Sequence, residues 1–254
     1  MKSSSLIVIL ALLCQLVLVS SCAMMAKQKA QAEANQKTGL ALLEAGQYLG
    51  ALKVLLEADR DAPDDPVTNY YLGIAYNGRG MRDMALERFQ KAVSLKEDYS
   101  EAHNYIGVIY MDMGQWEKAI AAFDQALKNY LYETPSLALY NSGWAYYNLK
   151  NYSKALSQYQ QAMIKDPTRR LHPRIEKNIG LIYLKQSNYS EAKMHLEKSV
   201  NLNPSLYDAH FYLGETYIKL RDYENAKSSF RQVMKLAPET PFGQKAKEYL
   251  HSLR

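Results

Sequence analysis

Along residues 102–127 the side chains that favour burial return at helical intervals: His103, Ile106, Gly107 and Tyr110, then Ala119, Phe123 and Ala126. An i, i+3, i+4, i+7 stripe of this kind predicts two short helices, each burying one face, with the hinge at Gly114. The pattern recurs through the chain. Glycines stand at Gly39, Gly73, Gly107, Gly143, Gly180 and Gly214, separated by 34, 34, 36, 37 and 34 residues. A second column follows at Ala51, Ala85, Ala119, Ala155, Ala192 and Ala226, and a third, of large residues, at Leu42, Tyr76, Tyr110, Tyr146, Tyr183 and Tyr217. Glycine inside a helix costs about 1 kcal/mol relative to alanine. Six such positions therefore predict a packing return: the first helix of each unit approaches the second at its alanine position.

A fixed period in this range indicates a solenoid of stacked units that cannot bury their faces singly. With these columns the chain resembles the tetratricopeptide repeat (TPR) over residues 32–240. The expectation is an all-α, right-handed TPR solenoid of six helix-turn-helix repeats, at 32–65, 66–99, 100–133, 136–169, 173–206 and 207–240. Residues 241–254 form a capping helix that covers the last repeat. Pro63, Pro167, Pro204 and Pro238 stand where helix must stop. Gly46, Gly80 and Gly114 suit a left-handed cap at the ends of the first three leading helices. The last three repeats carry Asn151, Asn188 and Asp222 one position on, suited to capping the second helix. Extra residues around Thr134-Pro135 and Arg170-Leu171-His172 predict longer loops.

The first 21 residues have a different character. Met1-Lys2 precedes a nearly unbroken apolar run from Leu6 to Val19, too short for a comfortable membrane span and suited to a signal peptide. Val19-Ser20-Ser21-Cys22 resembles a bacterial lipobox, which implies that Cys22 becomes the lipidated first residue of the mature chain. By the same resemblance, Ala23 in place of Asp implies delivery to the outer membrane of a Gram-negative bacterium, facing the periplasm. Residues 22–31 then form a lipidated cysteine and short tether. Cys14 falls within the signal, so the mature chain can form no internal disulfide.

The net charge of +5 is modest for 254 residues and, with the export signal, argues against nucleic acid. Arg169, Arg170, His172, Arg174 and Lys177 make one local basic cluster, read first as a solvated loop. No zinc-binding His-Glu-x-x-His, nucleophile elbow or phosphate-cradling loop occurs. No catalytic residue, metal, cofactor or small-molecule substrate is expected. His103 and His210 share one repeat position, which favours a structural role. The expected activity is binding of another protein.

Resemblance to the TPR fold implies where: positions 2, 5, 9 and 12 of each repeat line the inner face. The candidate groove comprises Tyr70, Ile74, Asn77, Asn104, Val108, Met111, Leu137, Tyr140, Trp144, Tyr147 and Leu181, continued by Leu184, Phe211 and Ile218. Large apolar side chains there would lie in solvent unless a partner covers them. No repeat combines Lys at position 5 with Asn at position 9, so a carboxylate clamp is not expected, and an apolar strand or helix is the expected ligand.

A lipobox followed by six such repeats resembles the type IV pilus biogenesis lipoproteins of the PilF, PilW and Tgl type. The Ala102-His103-Asn104-Tyr105-Ile106-Gly107 run and the Tyr130-Leu131-Tyr132-Glu133-Thr134-Pro135 insertion are similar to theirs. That resemblance implies a pilotin, which binds the secretin subunit of the pilus and promotes its outer-membrane localisation and multimer assembly. Two other resemblances imply different roles: a scaffold for periplasmic cell-wall enzymes, similar to NlpI, and an outer-membrane protein assembly subunit, similar to BamD.

Overall fold

The structure, a computed structural model, describes residues 24–253. Among these residues there are thirteen helices and no strand. Helix α1 runs over residues 24–44. It is followed by α2 (Tyr48–Asp61), α3 (Pro66–Gly78), α4 (Arg82–Leu95), α5 (Ser100–Asp112), α6 (Trp116–Ala126) and α7 (Pro135–Asn148). Then come α8 (Tyr152–Ile164), α9 (His172–Lys185), α10 (Tyr189–Leu202), α11 (Tyr207–Lys219), α12 (Tyr223–Leu236) and α13 (Pro241–Ser252). The chain divides into two compact units, Met1–Ile109 and Tyr110–Arg254, the division falling within α5.

Each hairpin turn is built alike. The amide at the start of the second helix donates to the carbonyl of the large third-column residue: Gln47 to Leu42, Met81 to Tyr76, Gln115 to Tyr110, Asn151 to Tyr146, Asn188 to Tyr183 and Asp222 to Tyr217, at 2.8–2.9 Å. This bond closes a Schellman-type end and requires a left-handed residue between the helices. Gly46, Gly80 and Gly114 supply it at φ 69°, 74° and 70°. In the last three hairpins Lys150, Ser187 and Arg221 hold the same conformation at φ 61°, 58° and 61°. There the next residue caps the second helix: Asn151, Asn188 and Asp222 accept from the amides of Lys154, Glu191 and Asn225.

The alanine column is fully buried in all six copies. The glycine column departs from expectation in its partner. At five of the six positions the residue opposite is the large one a turn beyond the alanine: Leu55, Phe89, Tyr159, Leu196 and Phe230 face Gly39, Gly73, Gly143, Gly180 and Gly214. A methyl group on Gly143 would come within 2.6 Å of the Tyr159 ring. The glycine makes room for a large side chain, a ring in three of these cases and a leucine in two, because two helices with such a group between them need that volume from one side.

In the Met1–Ile109 unit, Leu55, Leu72 and Phe89 are fully buried, and α3 packs on both α2 and α4. Arg88 on α4 donates to Asp59 on α2 at 2.8 Å and to the buried Asn69 on α3 at 3.0 Å. Gln36 on α1 donates to Asp65 and Thr68 at the start of α3. Residues 24–31, the stretch expected to act as a tether, are helical: an Ala-, Met-, Lys- and Gln-rich stretch without Gly or Pro propagates helix from the packed part of α1.

In the Tyr110–Arg254 unit α7 pairs with α8, α9 with α10 and α11 with α12, while α13 lies on α12. The leading helices also meet one another, α7 with α9, α9 with α11 and α11 with α13, so they form one layer. The loop before α7 is pinned by Asn129, whose side chain accepts from the Leu131 amide, and by the buried Tyr132. Pro135 and His172, expected in loops, are the first residues of α7 and α9; proline suits a first helical turn, where no amide is needed. In the loop before α9, Asp166 accepts from Thr168 at 2.6 Å and from the Leu171 amide at 2.8 Å.

Candidate functional site

A cleft of about 560 Å³ lies in the Tyr110–Arg254 unit, on the layer of leading helices. Tyr147 on α7, Leu181 and Leu184 on α9, and Ile218 on α11 supply its apolar lining in repeat register. Tyr189, Tyr212 and Tyr249 add phenol rings, and Lys185, Lys219 and Glu215 add charge. Trp144 stacks on Tyr147, with ring centroids 5.0 Å apart and an interplanar angle of 13°, and Tyr147 leans on Tyr152. Burial, reinforced by Tyr152 and Tyr212, pushes the Tyr147 phenol up to about 12. It is therefore a neutral hydrogen-bonding group at physiological pH. Tyr249 donates to Glu215 at 3.0 Å, which fixes the wall contributed by α13. The combination of apolar surface, neutral phenols and a few charges suits a polypeptide segment with an apolar face.

The structure distributes the expected residues unevenly. Tyr147 and Leu181 meet in the cleft with Leu184 and Ile218, and Trp144 is stacked beside them. Tyr140, on the same helix, leans on the buried Tyr159 and accepts from Asn178 at 3.3 Å. Leu137 is 39% exposed at the start of α7, and Met111 is half-buried. Phe211 is corrected: it is 3% exposed, enclosed by the rings of Tyr212, Phe230, Phe242 and Tyr249. It belongs to the core because α13 folds over it.

In the Met1–Ile109 unit, Ile74, Asn77, Asn104 and Val108 are half-buried. Tyr70 sits among Tyr71, Phe89, Tyr99 and Tyr105 at centroid distances of 4.9–5.8 Å, so its ring packs within its own unit instead of standing in solvent. The residues not expected at the cleft are the charged Lys185, Glu215 and Lys219 and the aromatic Tyr189, Tyr212 and Tyr249. Of these only Tyr249 had a sequence signal, the apolar face of the terminal helix.

The basic cluster is partly structural. Lys177 on α9 pairs with Asp208 on α11 at 2.7 Å, and His172 contacts the Met163 carbonyl at 3.3 Å. His103 and His210 each reach the carbonyl six residues earlier, Glu97 and Pro204, at 2.9 and 3.0 Å. A third histidine joins a buried group: Glu176, 1% exposed on α9, bonds His195 at 2.7 Å and Lys198 at 2.5 Å on α10. Among the described residues no cluster of three or more His, Cys, Asp or Glu side chains is placed to hold a metal ion.

These hairpins, their left-handed turns and their alanine and glycine columns define a helical repeat protein with a cleft on its leading helices. Tetratricopeptide repeat models match residues 70–129 and 106–169, 178–206, and 207–240, together more than half of the chain. The chain belongs to the tetratricopeptide repeat family. Among solved structures it is similar to PilF of Pseudomonas aeruginosa, with a TM-score of 0.74 and 17% identity over 87% of this chain and 99% of that one. It is also similar to PilW, a widely conserved type IV pilus biogenesis factor, with a TM-score of 0.76 and 18% identity over 85% of this chain and 98% of that one. A curated relative, the BBSome complex member BBS4 of Bos taurus, is 26% identical over 203 residues, 67% of this chain. The match spans only 38% of that relative's length.

Proposed function

We propose that this chain is a lipoprotein of the Gram-negative outer membrane, anchored through Cys22 and facing the periplasm. There it binds the secretin subunit of a type IV pilus and promotes its localisation and assembly into the multimeric pore. Cys22 lies outside the described residues, and its acylation rests on the lipobox resemblance. The observation that carries the reading is the end-to-end likeness to PilW and PilF, which leaves almost none of either chain unmatched. The cleft lined by Tyr147, Leu181, Leu184 and Ile218 supplies a surface for the captured segment. The protein acts as an adaptor: it concentrates one polypeptide at the membrane and performs no bond chemistry.

The test is genetic. In cells carrying Cys22→Ser, or lacking the gene, secretin is expected to remain monomeric on non-denaturing gels of membrane fractions, and surface pili are lost. Normal multimers in those cells sink the proposal. Altered cell shape or wall turnover with normal secretin would instead favour a scaffold for cell-wall enzymes.

A further inference from the structure

The first two turns of α1 extend beyond the packed part of the first repeat, where Met25, Ala26, Gln28 and Lys29 line only an open groove facing the junction of α2 and α3. Residues 24–31 are helical and all are exposed; the first buried side chain is Ala32. Met24 and Met25 are 63% and 66% exposed, and Lys27 and Lys29 follow them. No acidic residue occurs between Cys22 and Glu33. The stretch from Ala23 to Thr38 contains no Gly or Pro, so helix runs without a hinge from Met24 into the first repeat. There Gln36 is bonded to Asp65 and Thr68, which fixes the helix to the rest of its unit.

We propose that residues 24–31 rest in the headgroup layer of a phospholipid membrane and join it to the first repeat as one continuous helix. The Met1–Ile109 unit is thus held at the bilayer by a rigid stalk. This inference rests on the reading that Cys22 is acylated. Only Ala23 separates Cys22 from Met24, a reach of about 7 Å when fully extended. With acyl chains buried from Cys22, the helix must begin at the interface. Exposed methionines then meet the acyl boundary, while the ammonium groups of Lys27 and Lys29 reach lipid phosphates on flexible stems. The charge complements an anionic surface, since the segment carries two cations and no anion.

The experiment uses the mature lipidated protein in vesicles of phosphatidylethanolamine and phosphatidylglycerol. Acylation consumes Cys22, so single spin labels can be placed at Ala26→Cys, Gln28→Cys and, as an exposed control, Glu57→Cys. Labels at 26 and 28 are expected to collide several-fold less with a water-soluble nickel reagent than the label at 57, and only when vesicles are present. A label pair at Gln28→Cys and Lys53→Cys is expected to give one narrow distance distribution. Mass spectrometry of the same sample reports acylation.

Labels that stay water-accessible on acylated protein overturn the membrane contact and leave the anchor reading intact. A broad distance distribution overturns the stalk. Protection without vesicles assigns the segment to a second copy or another protein and also overturns the proposal. An unmodified Cys22 defeats the anchor reading, and this inference with it.

Discussion

Six residues do the same conformational job in six turns, and only three of them are glycine. Lys150, Ser187 and Arg221 occupy the left-handed region, where a side chain costs about 1–2 kcal/mol. The Lys150 side chain is exposed, so its removal loses little. Lys150→Gly is therefore expected to stabilise the protein by about 1 kcal/mol, read as a rise in the urea midpoint at unchanged slope. An unchanged midpoint would mean the turn relaxes at no cost. Gly143 presents the opposite case, a glycine needed for space and not for backbone freedom. Its place opposite Tyr159 leaves 2.6 Å for an added methyl, and Tyr159 is fully buried with its hydroxyl bonded by Asn178 at 3.1 Å. Gly143→Ala should destabilise by about 1–3 kcal/mol, because neither ring nor helix can move freely. A thermal midpoint equal to wild type would show that the ring is less confined than its burial implies. The spacing of the glycines made the need for room legible. It could not say which side chain fills the room, since alanine and ring lie one turn apart on the same face.

Between elements, most of the joining is apolar, but α9 and α10 are also tied by the buried Glu176 with His195 and Lys198. Burial alone would raise the Glu176 carboxyl; its bonds to His195 and Lys198 outweigh that and hold it below the usual glutamate value of 4.5. A carboxyl whose pKa is lower folded than unfolded contributes stability that is present above the unfolded value. That stability is lost as pH falls through the folded value. Melting curves from pH 7 down to pH 3 should therefore show a shallower acid decline in Glu176→Gln than in wild type, from a lower starting stability. Equal acid slopes would mean that the group is no better stabilised in the folded chain than in the unfolded one. This tie was not legible in the sequence, where Glu176 and His195 belong to unremarkable polar positions on different helices. The helices themselves were legible, because apolar period, proline and glycine signals agree at nearly every boundary. The start of α1 was not: Ala-Met-Met-Ala-Lys-Gln-Lys reads equally as linker or as helix until a folded repeat supplies the nucleus from which helix propagates.

At the scale of the molecule, a repeat reading treats each copy as equivalent, and this explains both its reach and its misses. Tyr147, Leu181, Leu184 and Ile218 line one cleft because repeat position decides which face they share. Tyr249 was missed as a wall, and Phe211 wrongly left in the open, because α13 breaks the equivalence at the final repeat. Tyr70 and Tyr140 stand at inner positions too, yet their rings pack on Phe89 and Tyr159. Position alone does not tell a docking side chain from a core one; the volume opposite it does. Trp144 is the most informative place to separate the two. It is half-buried, and the contact on which its role turns is the stack on Tyr147 at the edge of the cleft. Trp144→Glu is expected to weaken capture of the proposed secretin segment by about 2 kcal/mol, roughly thirtyfold in Kd by calorimetry. The helical circular dichroism and melting temperature should shift far less than in Phe230→Ala, whose fully buried ring contributes about 3–5 kcal/mol to the core. Undiminished binding by a folded Trp144→Glu protein would move the docking surface away from this cleft. Collapse of the fold on the same substitution would place Trp144 in the core, beside Tyr140, and leave the cleft to be tested through Ile218→Lys.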